Sequence, residues 1–293
     1  MAERDFGTPS REIHNNRFAE APAIPWKGKR INDSLKRWTE NSWRLLALPL
    51  LLLFAVPILM LFFQTSPREL LQSLRVEPVL QAVSVSLRTT LFSLAVIVIS
   101  GTPVAYLMGR HQFAYKRLVD ALIDLPTVLP PSVAGIALLL ALGRRGLIGG
   151  WLDVHGVHIA FTIAAVVLAQ VFVSAPFFVR AASLAFSAVD DEIEQAAQLD
   201  GASRWQIFRH VILPLSRTAM VSGGMMSWAR ALGEFGATII FAGNFPGRTQ
   251  TMPMAIYLGF EININMAITL AVILLMISFL SILVLKWISQ PEY

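Results

Sequence analysis

The sequence predicts an all-α polytopic membrane protein with six transmembrane helices. Three observations lead there. Of 293 residues, 55% are hydrophobic and only 15% charged, and the mean hydropathy of +0.60 is too apolar for a water-soluble domain of this size. The uncharged run LLALPLLLLFAVPILMLFF, Leu45–Phe63, is long enough to cross a bilayer at helical rise. Further apolar stretches recur at about Leu80–Met108, Leu125–Leu142, Ile159–Val179, Leu215–Ala242 and Asn265–Trp287, with polar segments between them.

The same composition excludes several functions. A net charge of +5 and an isoelectric point near 9.9 are compatible with nucleic acid, but the basic residues are scattered among loops rather than gathered in a stripe, so membrane topology accounts for them and no nucleic-acid partner is expected. The chain has no cysteine, which removes disulfides, thiol nucleophiles and Cys-based metal sites.

Residues 1–44 are polar, proline-bearing and without helical or strand period, and read as a mobile cytoplasmic tail with at most a short helix at Ser34–Arg44. The first span, 45–63, follows this long polar tail and precedes QTSPREL, which reads as a signal anchor rather than a cleaved signal peptide. Residues 80–288 form the remaining core. Pro103, Pro130, Pro131, Gly135, Pro176, Gly223 and Gly224 fall inside its spans, where neighbouring helices can satisfy the interrupted backbone. Orientation follows from the Lys and Arg count. An inside N-terminus and inside C-terminus place 17 of the 24 basic residues in the cytoplasm, leaving Arg68, Arg75, Arg88, Arg144, Arg145 and Arg248 outside and Arg230 within a span.

Between the fourth and fifth spans lies a polar island, residues 190–214, which that orientation places in the cytoplasm. Its chemistry reads as helix, tight turn, helix. Ser187 and Asp190 offer side-chain oxygens to open the first helix, and Asp191, Glu192 and Glu194 put negative charge on its positive end. Gly201 supplies the turn. Ser203 and Gln206 form a capping box for the second helix, whose Trp205, Phe208, Ile212 and Leu215 suggest one apolar stripe.

Ala196, Ala197, Gly201, Val211, Leu213 and Pro214 fall on the "EAA, three residues, G, nine residues, I-x-LP" loop, and on these residues the chain resembles the permease subunits of ABC importers. The family's EAA glutamate corresponds to Gln195, with Glu194 one position earlier. The resemblance implies a type I importer architecture in which Glu194, Gln195, Ala196, Ala197, Asp200, Gly201, Ala202, Ser203 and Pro214 form the surface that couples to an ATPase. It also implies a homodimer enclosing one path, two ATPase subunits that bring ATP and Mg, an extracytoplasmic binding protein, and alternating access. The segments Ala231–Tyr257 and Asp124–Gly149 are similar to the molybdate permease subgroup. Phe235 and Ala237 lean away from the closely related sulfate permeases, which tend to carry Tyr and Ser there, and tungstate is a further candidate.

Other groups have two readings each. Arg230 and Glu234, one helical turn apart in the fifth span, line a pathway or gate, or neutralise each other to fix packing; an unpaired Arg at mid-bilayer costs roughly 2.5–3.5 kcal/mol. Pro126, Pro130 and Pro131 shape a kink, and Thr127 and Ser132 beside them add hydroxyls to it or line a gate. Arg144, Arg145 and Arg248 dock a binding protein and steer an anion, or are solvated loop charges. The DDxxE run Asp190, Asp191, Glu194 suits a diphosphate-bound magnesium in a membrane enzyme, but helix N-terminal charge explains it and no second acidic cluster exists. Asp153, His155 and His158 have loose metal-ligand spacing, and no metal is expected there. No GxxxxGK[ST] loop occurs, so the chain is not expected to hydrolyse ATP itself. A secondary transporter should show repeat-related broken helices with ion ligands, and an enzyme several gathered catalytic groups; neither pattern is clear.

Overall fold

The computed structural model describes residues 33–288 apart from positions 65, 67, 69–71, 73 and 75. Its described residues are mostly helical and include no strand. Helix α1 (Asp33–Phe63) crosses the limit between two compact units, Met1–Pro57 and Ile58–Tyr293. The short helix expected at Ser34–Arg44 and the first span are therefore one continuous helix with Pro49 and Pro57 inside it. The rest of the predicted tail lies outside the described residues.

The second unit is built on α2 (Glu77–Arg110), α6 (Ile163–Ser187) and α9 (Leu213–Leu232), with α6 packed against both others. On α2 the buried positions Val79, Ala82, Ser86, Thr89, Ser93, Ile97, Gly101, Ala105 and Met108 recur every three or four residues, so one stripe faces the bundle while Leu91, Phe92 and Ile99 point outward. This stripe is unusually polar. Ser93 Oγ donates to Gln170 Oε1 (2.9 Å), Gln170 Nε2 donates to Thr89 Oγ1 (3.2 Å), and Trp228 Nε1 donates to Thr90 Oγ1 (3.0 Å). Inside a membrane bundle such bonds add attraction that apolar contacts between helices do not supply. Pro176 interrupts α6, and next to it Ser227 Oγ accepts from the Phe178 N–H (3.1 Å) while donating to the Ser174 carbonyl (2.6 Å), splicing a hydroxyl from α9 into the α6 backbone.

Two predicted spans differ from expectation. Leu125–Leu142 is not a kinked helix but two, α3 (Lys116–Val128) and α4 (Pro131–Leu142), meeting at 119°. Leu129 is pushed to extended backbone by the proline after it, and Pro131 can only begin a new helix. After the short α5 (Gly149–Val154), α6, α7 (Asp191–Leu199) and α8 (Arg204–Ile207), the predicted fifth span is likewise two helices. Helix α9 stops at Gly233, and α10 (Gly236–Ala242) starts beyond Glu234, whose carboxylate caps it. Helices α11 (Met252–Ile262) and α12 (Ile264–Ile288) pack on each other and complete the unit. Among the described residues, four helices are long and apolar enough to cross a membrane, and a fifth span results if the α3–α4 pair is counted as one.

The breaks are held by close packing. A Cβ at Gly236 would lie 2.6 Å from Pro131 Cβ, and one at Gly135 would lie 2.8 Å from the Ala237 carbonyl, so α4 and α10 touch backbone to backbone.

Candidate functional site

The polar island folds as a helical hairpin. Asp190 opens α7 by accepting from the Glu192 N–H at 2.9 Å, while Ser187 takes no part: it ends α6 and bonds back to the Leu184 carbonyl. Gly201 sits at φ +84°, a conformation other residues adopt only with strain, and makes the turn. Ser203 and Gln206 form the expected reciprocal capping box at the start of α8.

Of the expected apolar stripe, Phe208 and Ile212 face the bundle and Trp205 and Leu215 do not. Phe208–Ile212 is a π turn between α8 and α9, which run on through it without a break. Its wider repeat puts residues five apart on one face. Ile207 and Ile212 are therefore buried against Phe178, Phe186 and Ala105, and Trp205 and Leu215, 65% and 60% exposed, are turned out. Tyr106 and Phe186 contact Phe208 edge-on beneath the hairpin. Ala197 packs on this cluster, whereas Gln195, Ala196, Leu199, Asp200 and Trp205 face outward.

The acidic run is not free. Arg110, the last residue of α2, reaches Asp191 Oδ1 at 2.8 Å, pairs with Glu194, and donates from Nη1 to the Val189 carbonyl at 2.8 Å. Nearby, Arg180 of α6 donates to Asp124 Oδ1 (2.7 Å) and Asp120 Oδ1 (2.6 Å), tying α3 to α6. Sequence reading missed both arginine clamps. The one available signal was an Asp pair at i and i+4 on an amphipathic helix, Asp120 and Asp124, for which Lys116 and Arg117 a turn earlier already offered local partners.

Arg230 and Glu234 do meet, at 2.8 Å. Glu234 is 1% exposed and its other oxygen accepts from the Ala237 N–H at 2.8 Å; the Arg230 side chain remains 31% exposed. Ser132 is brought to this place, since its backbone nitrogen adjoins Gly236. Thr127 is exposed and its hydroxyl is used locally, donating to the Asp124 carbonyl at 2.7 Å.

Arg248, in the loop after α10, and Arg144 and Arg145, after α4, are exposed. Phe161, just before α6, bonds the Phe241 carbonyl, so the α10 loop belongs to the opposite end of α6 from the hairpin, a helix of 25 residues. Asp153 pairs with His158 and lies 3.9 Å from Arg144, while His155 bonds the Trp151 carbonyl and lies tilted against the Trp151 ring. Among the described residues no three His, Cys, Asp or Glu side chains converge as metal ligands.

This geometry can be set beside known proteins. The chain is 39% identical over 217 residues to the molybdenum transport system permease protein ModB of Escherichia coli K12, covering 73% of this chain and 95% of that one. It is 36% identical over 241 residues to a probable sulfate transport system permease protein, cysT, of Chlorokybus atmophyticus, covering 80% and 84%. Its fold matches a bacterial ABC transporter involved in import of the acidic polysaccharide alginate, with TM-score 0.70 at 15% identity over 88% of this chain and 96% of that one. Residues 101–290 match the family described as the binding-protein-dependent transport system inner membrane component, and with the hairpin and broken spans inside that match the chain belongs to this family.

Proposed function

We propose that this chain is the membrane permease subunit of an ATP-driven importer for a tetrahedral oxyanion, with molybdate the first candidate and tungstate beside it. The observation that carries the reading is the 190–214 hairpin: a rigid, capped knuckle seated on the bundle by Ile207 and Ile212, with Gln195, Leu199 and Trp205 left facing outward. Two copies enclose the path, two ATPase subunits carrying ATP and Mg dock on the hairpins, and a soluble binding protein meets the opposite end at Arg144, Arg145 and Arg248. The chain crosses the cell membrane several times, with its N- and C-termini on the cytoplasmic side. Closure of the ATPase pair draws the hairpins together, the bundle opens outward to receive the anion, and hydrolysis resets it. Arg230, held by Glu234 but still partly exposed, offers the path a positive group near Ser132.

Sulfate is the second reading, favoured by the similarity to the sulfate permease. The deciding experiment reconstitutes the complex in nanodiscs and measures ATPase stimulation by binding protein loaded with molybdate, tungstate or sulfate. Stimulation by molybdate above sulfate supports the reading, and the reverse order transfers it to sulfate. A tagged chain that recovers no ATPase sinks both.

A further inference from the structure

We infer that Arg110 is the strut through which the hairpin moves α2, and that Glu194 serves this internal joint rather than contact with the ATPase. The inference rests on the proposed importer function and adds a positioning pair to it. Four observations support it. The Arg110 side chain is 9% exposed and all three of its acceptors, Asp191, Glu194 and the Val189 carbonyl, belong to the start of the hairpin. Among the described residues it is the one cation paired with the acids of α7. Its neighbour Gly109 lies so close to the end of α6 that a Cβ there would stand 2.6 Å from the Ser183 carbonyl, so α2 is closely packed where α6 leads into the hairpin. From there α2 continues as one helix, with Pro103 inside it, back to Thr90, whose hydroxyl accepts from Trp228, two residues before Arg230.

A charge-assisted joint of this kind is stronger and more directional than a neutral hydrogen bond, so it fixes how α7 sits on α2. It also assigns roles within the hairpin. Glu194 is engaged inside the subunit, while Gln195, Leu199 and Trp205 remain outward for the partner.

The test uses the whole complex in proteoliposomes with molybdate-loaded binding protein, and reads anion taken up per ATP hydrolysed beside recovery of the ATPase on the tagged permease. Arg110→Ala is expected to retain the ATPase and lower uptake per ATP roughly tenfold, within the usual range of coupling between sites. Glu194→Gln, which keeps the side-chain shape, is expected to lower it less, and Arg110→Glu with Glu194→Arg should regain part of what either loses alone. General destabilisation lowers uptake and hydrolysis together and leaves their ratio intact, so an unchanged ratio in Arg110→Ala or, should that variant not fold, in Glu194→Gln overturns the inference. Loss of ATPase recovery in Glu194→Gln also overturns it, because Glu194 would then be a docking group. Failure of the unaltered chain to recover an ATPase would instead strike the importer function itself.

Discussion

Replacing Glu234 by alanine tests the charged centre of the bundle. The carboxylate is 1% exposed and holds the Arg230 guanidinium and the Ala237 N–H, each at 2.8 Å. Its removal leaves a buried N–H at the start of α10 without an acceptor, which costs about 1–3 kcal/mol. It also strands Arg230. Breaking a fully buried ion pair costs about 3–5 kcal/mol, but the Arg230 side chain is 31% exposed, and solvent lowers that share to about 1–2 kcal/mol. Together the loss is about 3 kcal/mol, or a fall of roughly 6–12 °C in the unfolding midpoint at about 2–4 °C per kcal/mol. The assay is thermal loss of the monodisperse peak in detergent, run on Glu234→Ala, Arg230→Ala and the double variant. The double variant should be less destabilised than the sum by about 1 kcal/mol or more, because it no longer strands a charge. Additivity within about 0.5 kcal/mol would refute the pairing. Glu234→Gln, which keeps an acceptor for Ala237, should lose about half as much as alanine.

Other perturbations separate the remaining parts. Ser227→Ala removes the hydroxyl joining Phe178 N–H to the Ser174 carbonyl beside Pro176 and should cost about 1–3 kcal/mol, read as a lower midpoint in the same assay. Gly236→Val would press a side chain into Pro131, costing about 1–3 kcal/mol through overpacking; a midpoint equal to the parent's would show that α4 and α10 can part. Gly201→Val has open space around it, so its whole effect is backbone strain of about 1–2 kcal/mol at φ +84°, and it should reduce recovery of the ATPase while circular dichroism is unchanged. Reversing Arg144 and Arg145 to Glu should weaken binding-protein docking in a pull-down; unchanged docking would make them ordinary solvated charges.

Legibility of the fold tracked the range of the interactions. The Ser203–Gln206 box, the Asp190 cap and the Gly201 turn act across two or three residues, and so appear directly in the order of side chains. The Arg230–Glu234 pair was readable for the same reason, being one helical turn apart. Ser187 was misassigned because two oxygen-bearing residues competed for one cap and only the helix end of α6 decided between them. That Trp205 and Leu215 leave the apolar stripe follows from the π turn at Phe208–Ile212, where burial of Ile207 and Ile212 under the bundle outweighs the ordinary repeat.

Composition and local order by themselves determined that this chain is helical, lives in a membrane, and presents a capped polar hairpin, since hydropathy and capping need no knowledge of distant residues. Tertiary structure alone decided that Arg110 seizes Glu194 across 84 positions, that Arg180 bridges Asp120 and Asp124 across 60 and 56, and that the expected fifth span ends at Leu232 and restarts at Gly236. Charges at helix ends and faces find partners wherever packing brings them, and that choice is made by the assembled helices rather than by any one segment.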